Sequence, residues 1–184
     1  LRSQLAPGTR CALEHGGAAP VILAADADLD DALPRLAKGG FYHAGQVCVS
    51  VQRIFAHSSI AAKSAEKLAE IGAAMKVGDP TLADTEVGPL IRKGEVDRVD
   101  EWVQAAIAGG AKCLTGGERV SDSCYKPTVL LDPPADANVS TMEIFGPVIC
   151  VYSYDDLDAA IAQANSLPVS FQAAVMTKDI DTAM

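Results

Sequence analysis

The sequence predicts one α/β domain in which helices are layered on a parallel sheet. Strand-like apolar runs alternate with stretches of helical period along most of the 184 residues. Helix-length connections between strands are what parallel pairing requires. The run at 20–23, Pro-Val-Ile-Leu, is apolar without alternation, as a strand covered on both faces should be. No internal repeat or low-complexity linker divides the chain, and a chain of this length builds one sizeable core rather than two.

Taken in order, strands are expected at 10–13, 20–23, 53–56, 112–114, 128–131, 148–152 and 173–176. Between them, Leu29, Ala32, Leu33 and Leu36 repeat at helical spacing behind Asp28, a good N-cap. Residues 60–75 and 96–108 keep the same period, and 157–164 forms a shorter helix. Gly109-Gly110 and Gly116-Gly117 mark element ends. Residues 125–148 are rich in proline and loops; a long irregular stretch in a compact domain is often functional, which singles out 141–147.

Apolar residues are 49% of the chain, charged ones 21%, and the net charge is −9. Such an acidic balance argues against a nucleic-acid or anionic-membrane surface, either of which needs a basic face. There is no run of eighteen apolar residues to form a transmembrane helix, and no basic-then-apolar leader. The five cysteines, Cys11, Cys48, Cys113, Cys124 and Cys150, are irregularly spaced and include no C-x-x-C pair. That argues against a disulfide framework or zinc cage and fits a reducing cytoplasm. The chain has no initiator methionine and stops at Met184 where a helix is beginning, so it is read as part of a longer polypeptide.

Asp26, Asp28 and Asp30 imitate the start of a calcium loop, but its glycine and glutamate positions hold Asp31 and Ala37. Helix capping explains these acids better, and no metal is expected. Neither G-x-G-x-x-G nor G-x-x-x-x-G-K-[ST] occurs, so the main pyrophosphate site of any nucleotide lies outside these residues. Cys48 follows Phe-Tyr-His-Ala-Gly-Gln-Val, on a loop where a helix runs out at Gly45-Gln46. A lone cysteine is usually a small buried hydrophobe; as a nucleophile it needs a nearby base, since only a few per cent of a free thiol is ionised at pH 7. Glu14 ends the first apolar run and is followed at once by His15, Gly16 and Gly17. Paired glycines let backbone pass close to another group, and a carboxylate there can serve as general base.

These segments together resemble the aldehyde dehydrogenase superfamily. Leu13 to Gly17 matches its L-E-x-G-G signature, Phe41 to Cys48 its F-x-x-x-G-Q-x-C signature, and Glu143-Ile144-Phe145-Gly146-Pro147 its E-I-F-G-P motif. Asp26-Ala27-Asp28-Leu29, Gly78-Asp79-Pro80 and Val87-Gly88-Pro89-Leu90 are supporting matches in the family's order. The resemblance covers nearly the whole chain and implies a catalytic domain of the aldehyde dehydrogenase type over residues 1–184, with the cofactor-binding domain and oligomerisation segments largely elsewhere. His15, Ala18, Ser50 and the stretch 165–173 depart from the commoner family pattern, which leaves the subfamily open.

By that resemblance, Cys48 is the nucleophile that forms a thiohemiacetal and then a thioester, and Glu14 activates the water that releases a carboxylic acid. Glu143 and Phe145 match the positions that hold the ribose and flank the ring of NAD or NADP; the plainer reading of Phe145 is core packing. Tyr42, Val47 and Val49 are implied to line the funnel for an apolar or modestly sized aldehyde. The parent is implied to be a homo-oligomer, dimer or tetramer, and the isolated segment to be inactive. Three rivals stand beside this. A cysteine hydrolase could use Cys48 with His43 or His57 and Glu14, a CoA-acylating dehydrogenase would dispense with the base, and a non-catalytic domain could share the fold.

Overall fold

The computed structural model describes residues 2–12, 14–170 and 172–184. Among them, one six-stranded sheet runs in the order β3-β4-β5-β2-β1-β6. The strands are β1 (Ala19–Leu23), β2 (Val51–His57), β3 (Lys112–Thr115), β4 (Thr128–Leu131), β5 (Val148–Tyr154) and β6 (Ala174–Met176). The helices are α1 (Leu29–Phe41), α2 (Ser58–Ala74), α3 (Lys93–Ala108), α4 (Asn138–Thr141), α5 (Leu157–Ala164) and α6 (Ile180–Ala183). Five strands are mutually parallel, while β3 joins β4 antiparallel. The chain moves one way along the sheet from β1 to β2 and the opposite way from β4 to β5 and β5 to β6. Right-handed crossovers therefore put α1 on one face and α4 and α5 on the other.

Burial follows the sequence pattern. Every residue of β1 is buried, as a strand covered on both faces requires. The α1 stripe of Ala32, Leu33, Leu36 and Ala37 is buried, and Asp28 caps the helix by accepting from the N–H groups of Asp30 and Asp31. Phe55 on β2 stacks on Tyr152 of β5 with ring centroids 5.1 Å apart, tying the two central strands together at side-chain level.

Three expectations are corrected. Residues 10–12 are exposed and belong to no strand, and Leu13 lies outside the described residues. An apolar run becomes a strand only beside a partner, and among the described residues none lies alongside this one. The strands β3 and β4 are joined by residues 116–127 with no helix between, so they pair as antiparallel neighbours rather than through a crossover. Finally, α1 ends at Phe41 and a separate 3-10 turn spans Tyr42–Gly45, so His43, expected on the helix before Cys48, lies in that turn just past it.

Candidate active site

Glu14 stands five residues before Ala19 and Cys48 three before Val51, and Ala19 and Val51 are paired at the start of β1 and β2. Glu143 stands five before Val148, where β5 begins. Because these three strands are parallel neighbours, the segments that precede them emerge at one end of the sheet. That end is the amino end, the reverse of the carboxyl-end placement usual in doubly wound sheets. The carboxyl ends are occupied differently. Asp28, His57 and Asp156 cap α1, α2 and α5 there, while Asp26 accepts from Thr177 and the Lys178 N–H.

The approach to Cys48 is bent by unusual backbone. His43, Ala44 and Gly45 have φ of 51°, 55° and 69° in succession, a left-handed turn that costs about 1 kcal/mol for each residue bearing a Cβ. Gln46 holds this turn. Its Nε2 donates to the carbonyls of His43 and Pro89, both at 3.1 Å, and its Oε1 accepts from the Ile91 N–H at 2.9 Å. Gly45 lies so close to the Gly146 carbonyl that no Cβ fits. Cys48 follows in the next turn, half-buried, where the Ser50 N–H donates to the Val47 carbonyl at 2.9 Å. The thiol is therefore on a loop, as expected. In contrast, burial pushes the Cys150 thiol up to about 12 and leaves it inert.

Glu14 is exposed on the coil leading into Gly16 and Gly17. It does not end a strand, because residues 10–12 form none. The Glu143 carboxylate lies against Gly16, where a Cβ would overlap it. Its Oε1 is buried and has no hydrogen-bond partner among the described residues. Gly17, Val47, Glu143 and Phe145 share a crevice of about 10 Å³ with Gly45 and Gln52. The Glu14 turn, the Cys48 turn and the 143–147 loop thus meet.

Phe145 is 40% exposed with φ 46°, which excludes the core-packing reading. With Tyr42 and Val47 it faces an open cleft of about 930 Å³ that also touches Pro89 and Ile91. Val49 is half-buried in the cysteine turn. His57 sits at the far end of β2, which at about 3.3 Å per residue is roughly 20 Å from the Cys48 turn. A triad with His57 is therefore excluded. His43 is exposed, and its ring leans on that of Tyr42 at 4.9 Å.

Sequence reasoning missed three buried or half-buried polar side chains that brace this end. Gln52, 3% exposed, donates from Nε2 to the carbonyls of Val139 (2.9 Å) and Met142 (2.7 Å) and accepts from the Ile144 N–H (2.9 Å). Arg98 donates to the Ile144 carbonyl at 2.7 Å, pairs with Glu95 at 2.9 Å, and lies 4.6 Å over the Trp102 ring. Arg53, 2% exposed, donates to the carbonyls of Ala18, Gln163 and Ala164. Burial lowers its pKa, yet an arginine stays charged, and the carbonyls ending α5 supply the compensating negative dipole. For Gln52 and Arg53 the one available signal was polar residues in a strand that otherwise reads as core.

Among the described residues, no three His, Cys, Asp or Glu side chains cluster to hold a metal ion, and no helix is long and apolar enough to cross a membrane. The sequence model of the aldehyde dehydrogenase family matches residues 2–184. The 3-sulfolactaldehyde dehydrogenase of Priestia megaterium is 38% identical over 175 residues, covering 95% of this chain and 36% of that protein. The glyceraldehyde-3-phosphate dehydrogenase of Methanocaldococcus jannaschii, solved with NADP, superposes with a TM-score of 0.86 at 37% identity, over 91% of this chain and 36% of that one. An aldehyde dehydrogenase of Mycobacterium tuberculosis, solved with NAD+, superposes with a TM-score of 0.86 at 31% identity, again over 91% and 36%. The chain spans about 36% of the length of the 3-sulfolactaldehyde dehydrogenases it is similar to.

Proposed function

The chain belongs to the aldehyde dehydrogenase family, and we propose that it supplies the catalytic domain of a polypeptide that oxidises an aldehyde to a carboxylic acid with NAD or NADP. The observation that carries this reading is the meeting of the Glu14 turn, the Cys48 turn and the 143–147 loop at the amino end of one sheet.

In this reading the Cys48 thiolate attacks the aldehyde carbonyl, and the new alkoxide is stabilised by backbone donors that include the Cys48 N–H. NAD(P), when bound, supplies the hydride acceptor that converts the thiohemiacetal to a thioester. Glu14 then takes a proton from water as that water adds to the thioester carbonyl; the thiolate leaves and the acid is released. An exposed carboxylate on a glycine-flanked coil has the freedom to reach the thioester after chemistry at sulfur is complete.

The residues present fit the cofactor. A ribose offers hydroxyl donors, and Glu143 offers a buried carboxylate oxygen that lacks one. Phe145, held out at the rim, offers a flat apolar face for the nicotinamide ring. Tyr42, Val47 and Val49 give the aldehyde an apolar approach of modest width. The pyrophosphate site, the cofactor-binding domain and the oligomer-forming segments belong to other parts of the polypeptide, so the isolated 184 residues turn over no aldehyde. We assign the parent to the cytoplasm as a homo-oligomer, since a working thiolate needs a reducing compartment.

The test is Cys48→Ala in the full-length protein. Aldehyde-dependent NAD(P)H formation should fall to background while the melting temperature holds. Steady-state turnover surviving the substitution removes Cys48 as nucleophile.

A further inference from the structure

We propose that Gln52, seconded by Arg98, is the positioning residue that fixes Glu143 for the cofactor ribose. The inference rests on the reading of Glu143 given above.

The conformation of Glu143 is set by the two peptide planes that flank its Cα. The first carries the Met142 carbonyl and the second the Ile144 N–H. Gln52 binds both, donating to the carbonyl at 2.7 Å and accepting from the N–H at 2.9 Å. A single primary amide therefore determines φ and ψ of Glu143. An amide does this in one side chain, whereas a carboxylate cannot donate to the carbonyl and an ammonium cannot accept from the N–H. The remaining Gln52 donor reaches the Val139 carbonyl at 2.9 Å and ties in α4. From the other side, Arg98 on α3 donates to the Ile144 carbonyl at 2.7 Å, with its guanidinium steadied by Glu95 and Trp102.

Position in the chain gives this a consequence for the reaction. Gln52 is the second residue of β2 and stands four after Cys48. The ribose-binding carboxylate and the sulfur nucleophile are thus referred to the same short rigid segment. Hydride transfer depends on their relative placement, and an error of about 1 Å there is costly. The placement of Glu143 is accordingly held from β2 and α3 in addition to its own loop.

The experiment compares Gln52→Glu, Arg98→Met, Arg98→Lys and Glu143→Ala in the full-length protein. NADH and NADPH affinities are measured by fluorescence titration, and Cys48 reactivity by its alkylation rate with iodoacetamide in the absence of nucleotide. Loss of one or two buried hydrogen bonds predicts about tenfold weaker nucleotide binding for Gln52→Glu and roughly threefold for Arg98→Met. Arg98→Lys, which keeps a donor, should recover most of the latter. Alkylation rates should stay within about twofold of the parent, since Cys48 is addressed directly by none of these changes. Nucleotide affinity unchanged in the folded variants overturns the proposal, as does a parallel fall in affinity and alkylation rate. Arg98→Met, on a partly exposed helix position, carries the test if Gln52→Glu does not fold. Unchanged affinity in Glu143→Ala sinks the ribose reading itself, and this inference with it.

Discussion

A Cβ at Gly16 would meet the Glu143 carboxylate, and one at Gly45 would meet the Gly146 carbonyl; the two overlaps have different consequences. At Gly16 the neighbour is the end of a side chain, so Gly16→Ala should displace Glu143 and leave the fold standing. About tenfold weaker NAD(P)H binding, with the melting temperature nearly unchanged, is the expected result of a fluorescence titration and a thermal scan. At Gly45 the neighbour is backbone, and φ is 69°. There Gly45→Ala adds strain of about 1 kcal/mol to a clash that only loop movement relieves. A total loss on the order of 2–4 kcal/mol in urea unfolding is predicted. At this scale, Cys48, Glu14, Glu143 and Phe145 stand out in the sequence because short glycine-containing motifs surround them. Gln52 and Arg98 do not, because their partners are backbone groups of a loop some 90 and 46 residues away. No local pattern encodes such a bond.

Elements were legible where local signals agreed with tertiary context. The strand 128–131 and the helix 157–164 have the expected limits, and α1 begins behind its Asp28 cap. Asp28→Ala should cost about 1 kcal/mol, read as a lowered urea midpoint. Residues 10–12 failed as a strand because an apolar pattern says nothing about who lies alongside. The left-handed turn at 43–45 was hidden because two of its residues are not glycine. A pH prediction belongs to β5, the central strand. Burial raises Cys150 from 9.0 to about 12 and also raises the phenol of Tyr152 above its ordinary value. Above about pH 9 the unfolded chain releases these protons while the folded chain keeps them, so the folded state binds more protons. Stability is therefore complete below pH 9 and should decline as pH climbs towards about 12. Urea midpoints at about pH 8 and pH 10.5 check this, and an equal or higher midpoint at the alkaline pH contradicts it.

Across the whole molecule, the two ends of the sheet divide the labour. The carboxyl ends of the parallel strands hold aspartates and a histidine that cap helices and close turns, as with Asp28, His57 and Asp156. The amino ends release the segments to which the chemistry is assigned in the proposed function. The fold class was readable from alternating elements and the active-site segments from motifs, but their convergence required the strand order. Parallel β1, β2 and β5 as neighbours bring together Gly16 and Gly17, Val47 and Glu143, from segments remote in sequence. The most direct test of that convergence traps the covalent intermediate. Full-length Glu14→Gln is mixed with aldehyde and NAD(P), quenched, digested and weighed by mass spectrometry. The account predicts one equivalent of NAD(P)H and an acyl group on the peptide carrying Cys48. Continued turnover at the parent rate, or an acyl group on any other cysteine, would contradict it.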